Sequence, residues 1–149
     1  MSTDGNRLQA LERRECLDLM GTVPIGRVVF TDHALPAVRP VAFVLDGEDV
    51  VIRTAPGSEL ATALRGAVVA FETDDFDPAF ATGWSVTVVG QARVVRDPGE
   101  LRRLAELPLQ PWPPGPHPHY IRISTQRISG RRLRPAAAGT GTAAGRCPR

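Results

Sequence analysis

Apolar and polar residues alternate along most of this chain in short runs rich in β-branched side chains. Glycine, proline and aspartate separate the runs. Ile25–Thr31, Ala37–Leu45, Val50–Thr54, Ala67–Thr73 and the long Trp84–Val95 read as strands, and a last alternation, Tyr120–Ser124, leads into "RISGRRL". Asp46-Gly47 between two runs is a hairpin signal. Apolar positions Leu8, Leu11, Cys16, Leu17, Leu19 and Met20 share a helical stripe, which predicts one helix over Leu8–Met20 that Gly21 ends. Ser58–Leu64 and Pro98–Leu107 read as short helices, the second opened by an Asp97 cap and a proline at its first position. The acidic run "FETDDFD" (71–77) reads as a turn after a strand. Gly90 marks a place where the longest strand bends or bulges. Six or so strands joined mostly by short turns make the chain mainly β, a small closed or half-closed antiparallel barrel.

Bulk composition narrows the setting. A chain of 149 residues with 42% hydrophobic and 23% charged side chains suits one globular domain. We place that domain at residues 1–134, with 135–149, "PAAAGTGTAAGRCPR", as a disordered low-complexity tail. Lysine is absent, so all 18 basic side chains are arginines. Four of them lie beyond Arg131, and residues 1–131 carry 14 arginines against 16 carboxylates. The net of −2 on the folded part argues against a nucleic-acid partner. Two cysteines, Cys16 and Cys147, make neither a disulfide framework nor a metal site. No signal-like segment and no apolar run near the ~20 residues of a membrane span is present, so a cytoplasmic location and no membrane partner are expected.

Chemistry concentrates at "VIRTAPGSEL" (51–60), where a strand hands over to a helix through Arg53, Thr54, Gly57 and Ser58. An anion such as a phosphate suits that corner: unpaired amides at a helix start, two hydroxyls, a glycine and a planar guanidinium. The plainer alternative is a serine cap and a surface arginine. Pro40 within a strand run implies an edge, a bulge, or backbone facing something other than a strand. Trp112 in "PWPPG" is either a partner contact or a lid on the barrel end. His33, His117 and His119 show no zinc spacing, and no Ser-His-Asp set or glycine-rich dinucleotide motif is present.

Taken together, "ECLDLMGTVPIGRVVF" (15–30), "LPAVRPVAFVLDGEDVVIRTAPGSEL" (35–60), "VAFETDDFD" (69–77), "TGWSVTVVGQARVV" (82–95), "PW" (111–112) and "RISGRR" (127–132) resemble the pyridoxamine 5′-phosphate oxidase-like flavin-binding split-barrel family, in its small actinobacterial-type form. The resemblance implies a six-stranded antiparallel, Greek-key split β-barrel with a few short peripheral helices. It also implies a homodimer with FMN at the subunit interface. Arg39, Pro40, Val41, Ala42 and Phe43 would run along the isoalloxazine ring. Arg53, Thr54, Gly57 and Ser58 would hold the phosphate, and Trp84, Ser85 and Trp112 would approach from the partner subunit. Two positions depart from the pattern: Ala42 stands where many relatives have asparagine, and Glu59 where they have a lysine or arginine.

The activity implied is an FMN-dependent oxidoreductase acting on a small molecule, with the deazaflavin F420 as the alternative cofactor. The cofactor carries the redox chemistry, which suits a chain without an acid–base constellation. A non-enzymatic flavin or haem binder, sensor or storage protein is the competing expectation.

Overall fold

The computed structural model describes residues 7–55, 57–109 and 119–135. They form β1 (Leu8–Leu11), α1 (Arg13–Met20), β2 (Ile25–Asp32), β3 (Leu35–Asp46), β4 (Asp49–Thr54), α2 (Glu59–Leu64), β5 (Val68–Asp77), β6 (Thr82–Val94), α3 (Pro98–Ala105), β7 (His119–Ile123) and β8 (Arg127–Leu133). Trp112 and its proline-rich loop, and the tail expected to be disordered, lie outside the described residues apart from their first few positions.

All pairings are antiparallel, in the order β1-β8-β6-β5-β2-β3-β4-β7, and β6 pairs with β7 as well. That last pairing closes a six-stranded barrel, β5-β2-β3-β4-β7-β6, as the sequence led us to expect. Two long strands make closure possible. β3 pairs with β2 over Leu35–Ala42 and with β4 over Phe43–Asp46. β6 pairs with β5 and β8 along its first part and with β7 over Ala92–Val94. Each therefore serves a larger sheet (β1, β8, β6, β5, β2, β3) and a smaller one (β3, β4, β7, β6). Gly90 lies at the changeover in β6, where a β-carbon would fall 1.7 Å from the Ser124 carbonyl oxygen. Only glycine lets the two backbones cross there.

Inward positions fill the barrel with Val28, Phe43, Ile52, Phe71, Val86 and Ile121, and Phe43 meets Phe71 edge to face at 4.9 Å. α1 and α2 add Cys16, Met20, Leu60 and Leu64 to this core. A smaller cluster outside the barrel packs Leu104 of α3 on Val51, Val95 and Tyr120.

Two local expectations are corrected. The single helix over Leu8–Met20 is a strand followed by a helix: Leu8–Leu11 pair with Gly130–Leu133, and α1 starts after Glu12, whose amide donates to Glu15. The free edge of β8 offers hydrogen bonds that the helical stripe did not anticipate. "FETDDFD" is not a turn, because β5 runs on to Asp77 opposite Thr82. Glu72 and Asp74 take outward positions, and Asp75 and Asp77 take the other parity where the strand end is exposed. "RISGRRL" forms a full strand, β8, along β6.

One arginine fastens α3 to the barrel. Arg122 of β7, its side chain only 9% exposed, donates to Asp46 at 2.6 Å, Glu100 at 3.0 Å and Asp49 at 3.3 Å. Arg103 shares Asp46, and Arg93 shares Glu100. Hydrogen bonds from Arg103 and Arg122 hold the Asp46 carboxyl below its ordinary range, and Arg93 does the same for Glu100, with help from Arg122. Replacing Arg122 by methionine leaves three carboxylates around an apolar side chain and is expected to cost about 3 kcal/mol, read as a fall in thermal midpoint. Depressed carboxyl pKa values stabilise the fold above the unfolded values near pH ~4 and are lost as pH falls through the folded ones. Wild-type protein should therefore lose stability steeply below about pH 4, and Arg122→Met should show a shallower acid slope.

Candidate functional site

β3 has one free edge. Over Leu35–Ala42 it pairs with β2 alone, and no described strand lies on its other side. The Phe43 amide donates to the Pro24 carbonyl at the start of β2. Strand alternation then turns odd positions toward β2 and even positions toward the open edge. Pro36 and Pro40 fall on even positions, so their missing N–H groups cost the ladder nothing. Of the readings that Pro40 left open, the structure selects the edge. Backbone groups of Val38 and Ala42 and the Pro40 carbonyl face outward there, while Val41 and Phe43 point into the core.

The 53–58 corner lies next to that edge. Arg39 donates to Glu59 at 2.9 Å, tying the middle of β3 to the first residue of α2. Glu59, the position where relatives carry a base, is thereby neutralised by an arginine of the proposed ring-binding strand. Thr54 and Ser58 place their hydroxyls 3.1 Å apart, and Ser58 Oγ accepts from the Ala61 amide at 3.0 Å. The plain reading of Ser58 as a cap thus holds, whatever else the corner does. Gly57 turns the chain at φ +71°, a conformation open to glycine.

Arg53 leaves the opposite face of β4 from Thr54. It lies across from Tyr120 with its guanidinium 5.9 Å from the ring centre, and donates to the Leu109 carbonyl at 3.3 Å. Its Nε is buried and has no hydrogen-bond partner among the described residues. A donor left unsatisfied in this way is costly unless a further group meets it.

Trp84 and Ser85 are remote within one chain. They open β6, whereas Val94, ten residues on, pairs with Ile121 beside the corner. At ~3.3 Å per residue that is roughly 30 Å measured along a strand that bends at Gly90. Trp84 is largely buried, below a cavity of about 390 Å³ that Asp75 and Arg132 flank from neighbouring strands. Arg39 to Phe43 and Arg53 to Ser58 are therefore brought together, Trp84 and Ser85 are not, and Trp112 lies outside the described residues.

Sequence reasoning missed His119, Arg65 and Arg96. They line a cavity of about 320 Å³ that reaches Gly57. His119 pairs in register with Thr54 across 65 residues of chain, and no local motif signals such a pairing. Among the described residues there is no group of three metal-ligating side chains, and no helix is long and apolar enough to cross a membrane.

Comparison with known proteins adds to this geometry. The sequence model described as pyridoxamine 5′-phosphate oxidase matches residues 12–132. An uncharacterised Mycobacterium tuberculosis protein, Rv0080, is 42% identical over 129 residues, covering 83% of this chain and 84% of its own. The structure of an FAD-binding protein from Mycobacterium smegmatis is 38% identical and superposes with a TM-score of 0.73, over 84% of this chain and 97% of that one. A Corynebacterium glutamicum structure, assigned as a candidate pyridoxamine 5′-phosphate oxidase, is 32% identical with a TM-score of 0.78, over 89% and 97%.

The cap geometry has a direct test. Ser58→Ala removes the acceptor for the Ala61 amide and is expected to cost about 1 kcal/mol, whereas Ser58→Gly costs a few tenths. Denaturant unfolding of the two variants checks the order.

Proposed function

The chain belongs to the pyridoxamine 5′-phosphate oxidase family, and from that premise we propose that it is a flavin-dependent oxidoreductase acting on a small molecule. In this reading the cofactor is FMN, held in the gap between the free edge of β3 and the 53–58 corner. The observation that carries it is the open edge itself: backbone donors and acceptors at 38–42 stand beside the hydroxyl-bearing turn of Thr54 and Ser58, which Arg39 and Glu59 tie to β3. A flat heteroaromatic ring with polar edges matches the first, and a phosphate the second. The Arg53 Nε lacking a partner among the described residues supports the fit. When bound, the flavin supplies the hydride and electron chemistry. The chain's own part is to hold the phosphate, lay the ring along β3 and limit water's access to it.

Arg39 regulates the charge of this gap by pairing with Glu59. The homodimer belongs to the same proposal. Trp84 and Ser85 lie roughly 30 Å along β6 from the corner in their own chain, and in this reading they approach the ring from the partner subunit. F420 remains the alternative deazaflavin. A second reading has its own observation: the Mycobacterium smegmatis relative binds FAD, and the cavity that His119 also lines gives a second nucleotide phosphate two cationic neighbours, Arg65 and Arg96.

An absorption spectrum of the purified protein, with mass spectrometry of the released ligand, separates these cofactors. A colourless protein whose thermal midpoint no flavin raises would defeat the proposal. A bound flavin that neither a nicotinamide nor a deazaflavin donor reduces would instead make the chain a non-enzymatic binder. Arg53→Ala should weaken flavin binding at least tenfold while shifting the thermal midpoint little, and equal losses in both would mark Arg53 as structural.

A further inference from the structure

One end of the larger sheet runs on past the apolar core. Phe71 of β5 and Val86 of β6 point into the core, and strand alternation keeps Asp75, Asp77, Trp84 and Thr82 on that same face. The core stops at Trp84, whose side chain packs into it and stays only 9% exposed. Above the indole lies the cavity of about 390 Å³. Asp75 and Asp77 form its wall on β5, Thr82 and Trp84 its floor on β6, and Arg132 with the following Arg134 its wall on the β8 side. A space of this size suits a small organic molecule.

Strand register sets these groups in order. Asp75, Trp84 and Arg132 share one row across β5, β6 and β8, so a carboxylate and a guanidinium face each other over an indole. Two strand spacings put their backbones ~10 Å apart. Neither side chain has an ion-pair partner among the described residues, and the space between them stays open. Their neighbours are already engaged: Asp77 accepts from the Ala79 amide at 3.1 Å, and Arg134 donates to Gln9 at 3.1 Å. A ligand with only a positive charge is drawn to one wall and repelled by the other, and a purely anionic ligand meets the reverse. A molecule with both charges at the ends of an apolar spacer satisfies both walls and lays its methylenes on the indole. Hydrogen bonds of ~2.8 Å at each end leave about 5 Å between the two heads. A four-carbon chain spans that length, and one carbon between the charges does not.

We propose that this cavity binds a small ω-amino acid, its ammonium group against Asp75, its carboxylate against Arg132 and its spacer over Trp84. Arg132 takes the carboxylate as a planar fork of donors, and Asp75 takes the ammonium as a charged acceptor. The cavity is complete within one chain and stands far along β6 from the 53–58 corner. The inference therefore goes beyond the flavin reading and does not depend on it. A chain that takes up no flavin still carries this site, and a flavin-loaded chain can lack it.

The probe is 4-aminobutyrate, titrated into the full chain while the Trp84 indole N–H resonance is followed by ¹H–¹⁵N NMR. Trp112→Phe identifies which of the two indole signals belongs to Trp84. The wild type should show a saturable shift with a dissociation constant at least tenfold lower than for butylamine or butyrate. Free glycine, with one carbon between its charges, should give no saturable shift. Asp75→Asn should weaken 4-aminobutyrate at least tenfold and leave butyrate no weaker, and Arg132→Gln should weaken it as much while sparing butylamine. Absence of any shift up to ~50 mM overturns the proposal. Equal binding of butylamine, butyrate or glycine overturns recognition of both charges at once. A titration that neither Asp75→Asn nor Arg132→Gln alters overturns the assignment to this cavity. Because the ligand series on the wild type needs no substitution at the site, the result does not depend on the variants folding.

Discussion

Closure of this barrel depends on two strands that each change partners part-way along their length. A strand has two edges, and a six-membered ring can use both only if every strand finds a neighbour on each side. β3 and β6 meet that demand with their second halves and spend their first halves in the larger sheet. For β6 the first half is sandwiched between β5 and β8. For β3 it is bordered by β2 alone. That asymmetry leaves a stretch of open backbone in an otherwise closed structure, and the proposed cofactor gap follows from it.

Most of the chain's charge is used to manage what closure leaves over. Arg122 and its three carboxylates hold α3 against the outside of the smaller sheet, sealing the second apolar cluster. Arg39 and Glu59 stitch α2 to the open edge of β3. Arg27 lies between two acids on the uncovered face of the larger sheet. The energetics of the three differ by burial. The Arg122 set is largely removed from water and therefore expensive to break, whereas the exposed Arg39–Glu59 pair contributes little to stability and is free to exchange with a ligand.

The placement of the expected cofactor residues also carries a physical lesson. Residues that resemble one flavin-binding set are divided in a single chain: Trp84 and Ser85 open β6, whereas the 53–58 corner lies beside its far end. β6 bends at Gly90 on the way, but its pairing on both sides keeps the two groups apart, and no rotamer change brings them together. If both groups serve one ligand, the molecule must be completed by another copy, which makes assembly a requirement of the site rather than an ornament of the fold.

Alternation and turn chemistry in the sequence by themselves determined the strands 25–54, the two capped short helices and the presence of a bend at Gly90, because each depends on spacing within a few residues. They also marked 53–58 as the corner where a strand hands over to a serine-capped helix, and limited Pro40 to an edge, a bulge or an exposed backbone. Tertiary structure decided the rest. Leu8–Leu11 became a strand because β8, more than a hundred residues away, presents a free edge that outweighs a helical stripe. "FETDDFD" stayed extended because Thr82–Ser85 pair with it. Arg53 turned toward Tyr120, His119 came level with Thr54, and Glu59 found Arg39 through contacts between distant segments. Local pattern encodes periodicity, but which unpaired edge or charge a segment will meet is set only when the chain closes on itself.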